Sequence, residues 1–107
     1  MELFKDARAA VAFAADKMKK VNLFDTPRMF CDVYGFNPGQ EQTAHAHAGS
    51  DKVYFVLDGT GVFKVGEVER IVGSGHAVFA PAGLSHAVRN PGPGPLSVLV
   101  FMAPKPS

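Results

Sequence analysis

His45 and His47 are separated by a single residue in the stretch Gln42-Thr43-Ala44-His45-Ala46-His47. Alternate side chains of a β-strand leave the same face, so this spacing predicts two imidazoles side by side. Neutral imidazole suits zinc, iron, nickel and copper, and such a pair is how an all-β protein would begin a metal site. The run Lys52–Asp58 follows directly, β-branched and aromatic, and ends at Gly59. It reads as a strand closing in a turn. Gln40, Glu41 and Gln42 precede the histidines and could reach a pocket, although solvated strand ends are the plainer reading. Tyr54, Phe55, Phe63 and Phe79 read as core or pocket lining. His76, at a turn-to-strand boundary, reads as a surface residue, and Cys31, with nothing nearby to activate a thiolate, as a small core residue. No pair of carboxylates and no serine–histidine arrangement supports a different mechanism.

The elements that must position these groups are short and numerous. At 107 residues with 47% hydrophobic content, the chain makes one domain with a single core. Eleven basic and ten acidic residues are scattered along it, for a net charge of +1. Without a basic stripe or an acidic tail, a nucleic-acid partner is not expected. No apolar run reaches membrane-spanning length and Met1–Ala10 lacks a secretory pattern, so no membrane association is expected. The lone Cys31 allows no internal disulfide, which fits a reducing cytoplasm.

In chain order, residues 1–17 form the one expected helical segment, Ala-rich, with Asp6 as its N-cap. Residues 18–102 read as the β domain and 103–107 as a frayed tail. Strands are expected over Lys19–Phe24, Arg28–Phe36, Gln42–His47, Lys52–Asp58, Val68–Val72, His76–Ala80, Ser85–Asn90 and Leu96–Met102, with another in Gly-Val-Phe-Lys-Val before the Gly66-Glu67 hairpin tip. Eight or nine short strands at this spacing argue for an all-β sandwich or barrel. Arg28–Phe36 and Lys52–Asp58 are apolar on both faces, yet a small barrel has only one inside. The surplus must be covered by the N-terminal segment or by a second subunit, and a homodimer is expected.

Two blocks now support a family resemblance. Gly39, five residues, His45-Ala46-His47, four residues, Lys52, six residues and Gly59 resemble the first signature motif of the cupins. Gly75, five residues, Pro81-Ala82-Gly83, two residues, His86, three residues and Asn90 match the second at every defined position. The resemblance implies a double-stranded β-helix, the cupin or jelly-roll barrel, with a metal held inside one end. Carried over by position, the ligands are His45, His47 and His86. The family's fourth ligand is a glutamate, and this chain has Lys52 in its place. An ammonium cannot coordinate. Its neighbour Asp51 could substitute only if the strand bulged by one residue, because a one-residue slip reverses the face. Alternation does not choose between them, since Val53, Phe55 and Leu57 are as apolar as Tyr54 and Val56. Lys52 itself would form a surface pair with Asp51 or Glu41, or else line the mouth as a point charge.

The implied cofactor is a divalent transition metal: iron, manganese, nickel, zinc or copper. The expected function is that of a small metal-dependent enzyme, dioxygenase- or isomerase-like, acting on a small and possibly anionic molecule. The alternative is a non-catalytic cupin that binds or senses a small-molecule ligand. Asp51, Lys52, Gln42 and Tyr54 are the candidates for a fourth ligand or for the pocket wall.

Overall fold

The structure, a computed structural model, describes residues 1–106. One helical turn, α1 (Ala7–Ala10), precedes nine strands: β1 (Lys19–Asp25), β2 (Phe30–Phe36), β3 (Glu41–His45), β4 (Asp51–Asp58), β5 (Thr60–Val65), β6 (Val68–Gly73), β7 (Ala77–Ala80), β8 (His86–Arg89) and β9 (Leu96–Ala103). They form two antiparallel sheets, β1-β2-β9-β4-β7 and β3-β8-β5-β6. The two sheets face one another as a jelly-roll barrel, the architecture expected from the sequence.

The inner faces enclose a core in which Tyr34, Phe36, Tyr54, Val56, Phe63, Val88 and Val98 are buried. Burial of such side chains drives closure, at about 25 cal/mol for each Å² of apolar surface removed from water. Asn90 secures the rim of the barrel. Its buried amide donates to the carbonyls of Phe36 and Gly94, both at 2.9 Å, and its Oδ1 accepts from the Gly92 N–H at 2.8 Å. Gly59 turns β4 into β5 with φ +89°, and a side chain there would strike the Pro95 carbonyl. Both constraints exclude other residues.

The N-terminal segment differs from its expected form. Asp6 does cap the helix, accepting from the Ala9 N–H at 3.1 Å, but the helix ends at Ala10 and Val11 is already extended. So short an Ala-rich run is marginal by itself, and contacts with the sheet decide its path. The Ala14 carbonyl accepts from Asn37 Nδ2 at 3.1 Å and Gln40 Nε2 at 2.8 Å. Gly35 has no side chain to block the Ala12 carbonyl. Laid down in this way, Ala7, Ala10 and Val11 cover a second cluster on the outer face, built on Leu23, Val33 and Leu57. Part of the surplus apolar surface is therefore covered from within the chain.

Residues 103–106 are also tied down rather than frayed. Ala103 belongs to β9, the Lys105 N–H donates to the Arg28 carbonyl at 2.8 Å, and Lys105 Nζ pairs with Asp25 at 2.6 Å. Ser107 lies outside the described residues. Among the described residues, no helix is long and apolar enough to cross a membrane.

Candidate metal centre

β3 and β8 are hydrogen-bonded neighbours, and their register sets His45 directly opposite His86. His47 lies two residues past the end of β3, and the Gly83 N–H, in the Pro81-Ala82-Gly83 turn, donates to its carbonyl at 2.8 Å. The two motifs thus meet across one strand pair. One ring nitrogen from each of His45, His47 and His86 falls within 4.8 Å of the other two.

The backbone chooses which nitrogen of His45 and His86 is offered. His45 Nδ1 lies 2.8 Å from the Thr43 carbonyl and His86 Nδ1 lies 3.1 Å from the Leu84 carbonyl. A carbonyl can only accept, so each Nδ1 carries the proton and each Nε2 presents a lone pair. Those two Nε2 atoms are 3.1 Å apart. Ligand nitrogens sharing one ion at 2.0–2.1 Å would be about 2.8–3.4 Å apart, for right-angled to tetrahedral placement. The donor set fits a divalent first-row metal. Desolvation holds the proton affinity of all three histidines below the ordinary value, His86 down to about 4. The imidazoles are therefore neutral at pH 7, the form that coordinates.

A bulge in β3 decides what else faces this centre. Between Gln42 and His45, three steps on β3 match two on β8, from Val88 to His86. The extra residue puts Gln42 on the same face as His45, where simple alternation would have opposed them. Its Oε1 accepts from Tyr54 Oη at 3.2 Å and from Lys52 Nζ at 3.3 Å. Tyr54 is fully buried, with its ring centre 6.1 Å from that of His86, and burial raises its proton affinity.

Position 52 faces inward, and the expected surface pair of Lys52 with Asp51 or Glu41 does not form. Lys52 is 1% exposed, and its ammonium stands 4.8 Å from the Tyr54 ring centre and 5.4 Å from that of Tyr34. Desolvation, reinforced by the nearby Lys20, pushes its pKa down to about 7. Asp51 is corrected as well. Strand β4 does not bulge at its start, so Asp51 stays outside the barrel, exposed, accepting from the Ala82 N–H at 2.9 Å. It buttresses the turn that precedes His86. His76 is exposed, as expected. Spacing gave no signal for Lys20 and Tyr34. They are direct cross-strand partners on β1 and β2, and the Lys20 ammonium lies 5.2 Å from the Tyr34 ring centre.

A family model described as the cupin domain matches residues 32–102, a span that includes every one of these residues except Lys20. The chain belongs to the cupin family. Among solved structures, this cupin is similar to TT1209 from Thermus thermophilus, with 45% identity over 96% of this chain and 98% of that one, at a TM-score of 0.94. It shares its fold with a conserved double-stranded β-helix protein from Klebsiella pneumoniae, at 21% identity, 97% and 91% coverage and a TM-score of 0.90. The same holds for a predicted oxalate decarboxylase from Thermotoga maritima, at 22% identity, 82% and 81% coverage and a TM-score of 0.78. No curated protein matches the sequence.

Proposed function

We propose that this cupin holds one divalent transition metal on His45, His47 and His86 and uses it on a small anionic molecule, in dioxygenase- or isomerase-like chemistry. One observation carries the reading. The Nε2 lone pairs of His45 and His86 face one another at 3.1 Å, an arrangement that repels unless a cation lies between them. A bound metal would supply Lewis-acid polarisation of a coordinated oxygen. The chain's own residues do the rest. Thr43 and Leu84 fix the ring orientations through their carbonyls, Tyr54 and Phe63 keep water from the inner side, and Gln42 and Lys52 present polar groups beside the metal ligands. With three neutral ligands and no carboxylate, the centre would keep the metal's full double charge, which favours an anionic ligand.

Metal analysis of untagged protein tests the reading. About one first-row metal per chain is expected, and none after His45 and His86 are both replaced by alanine. Turnover of small enols and diketones by the metal-loaded protein then separates an enzyme from a binding module.

We extend the proposal to a homodimer. Phe79, Val53 and Phe101 form a cross-strand row on the outer face of β7, β4 and β9, with Phe79 56% exposed and Phe101 37% exposed. The N-terminal segment leaves that row open, and a second copy would cover it.

A further inference from the structure

A charged amine buried in a protein needs a counter-charge, and Lys52 has no ion-pair partner among the described residues: Asp32, the nearby carboxylate, acts on it from beyond ion-pair distance and accepts from Asn22 Nδ2 at 2.8 Å instead. Among the described residues the ion pairs are Arg8 with Asp58 and Lys105 with Asp25, both at the surface. Lys52 spends one of its three donors, on the uncharged Gln42 oxygen. A second ammonium stands close by, since Lys20 lies over the same Tyr34 ring as Lys52, at 5.2 Å against 5.4 Å. Like charges brought together cost free energy, so such a pair waits for an anion.

The opening leads to the same place. The edge strands β1 and β3 flank a cleft of about 520 Å³ whose wall carries Lys17, Lys19 and Lys20 against the single carboxylate of Glu41. Gln42 also lines that cleft while its oxygen holds Lys52, so the cleft meets the interior at Gln42. Tyr54 connects the ammonium to the histidines, with Lys52 Nζ 4.8 Å from its ring centre and the His86 ring 6.1 Å from it.

We infer that Lys52 and Lys20 seat a carboxylate of the ligand at Tyr34, so that the centre selects a small dicarboxylate or oxo-carboxylate whose other oxygen reaches the three histidines. The second half of this inference rests on the metal reading above, and the first half does not. Lys52 supplies the buried charge that fixes the ligand's far end. Lys20, exposed at the cleft, guides the anion in and closes over it.

Isothermal titration calorimetry with oxalate, malonate, succinate and acetate tests it, on chelator-treated and on zinc-reloaded protein. At least one dicarboxylate should bind the zinc-reloaded protein ten or more times more tightly than acetate. Lys52→Met should weaken that dicarboxylate at least tenfold, and Lys20→Met about three- to tenfold, with zinc content unchanged in both. Lys20 is exposed, so its substitution tests the inference even if the Lys52 variant folds poorly. Should both variants bind like the parent, or should none of the dicarboxylates bind the parent, the inference is overturned. The metal reading is judged separately, by zinc content. If the histidines hold no zinc, the lysine seat is still decided on the chelator-treated protein, where the dicarboxylate must bind the parent and weaken with Lys52→Met.

Discussion

His45 and His86 sit opposite each other on β3 and β8 with their Nε2 atoms 3.1 Å apart, each ring held by its own Nδ1 to a carbonyl two residues earlier in the chain. The two strands thus present a preformed bidentate donor, and His47 completes a face of three. Replacing His86 or His45 by alanine should lower metal affinity by at least a hundredfold, measured by competition with a chromophoric chelator. His47→Ala removes a candidate ligand that no carbonyl among the described residues orients, and the loss should be smaller, about tenfold. Metal affinity unchanged in the His86 variant would rule out this centre.

Position 52 points into the barrel, where the family pattern has a glutamate. Lys52→Glu should therefore tighten metal binding, by about tenfold or more, by restoring a carboxylate and removing a neighbouring positive charge. Asp51→Asn should leave affinity unchanged, because that side chain is outside and engaged with the Ala82 N–H. The reverse pattern would place Asp51 at the metal.

Burial of Lys52 also sets a pH dependence on stability. Its pKa falls from 10.5 in the unfolded chain to about 7 in the folded one. Between those values the unfolded chain binds the proton that the folded chain has released, so this residue makes stability rise as pH increases from about 7 to about 10.5 and contributes no slope below about 7. Lys52→Met should flatten that slope in chelator-treated protein. It should also stabilise the fold near neutral pH by about 1–3 kcal/mol, since an apolar side chain of similar size replaces a buried amine that has no ion-pair partner among the described residues. Denaturant titrations at pH 7 and pH 10 measure both, and a variant less stable than the parent at pH 7 would contradict the argument.

The open row Phe79-Val53-Phe101 predicts self-association. Sedimentation at micromolar concentration should give about twice the 11.4 kDa chain mass. Phe79→Lys together with Phe101→Lys should shift the protein to monomer without loss of metal. A parent protein that sediments as a monomer would refute the dimer.

Much of the site was written in local spacing. The interval between His45 and His47, the glycines of the turns and the second block from Gly75 to Asn90 carry the barrel and three candidate ligands, because turn geometry and strand alternation are properties of a few neighbouring residues. The face of Lys52 was not written there. Both faces of β4 are apolar, one packing into the barrel and the other under the N-terminal segment, so no alternation distinguished residue 51 from 52. Only the pairing of β4 between β7 and β9 set its rotation. The bulge that turns Gln42 inward, the end of the helix at Ala10 and the meeting of Lys20 with Lys52 at Tyr34 have the same origin. Each depends on contacts between segments remote in the chain, and such contacts leave no periodic trace in the sequence.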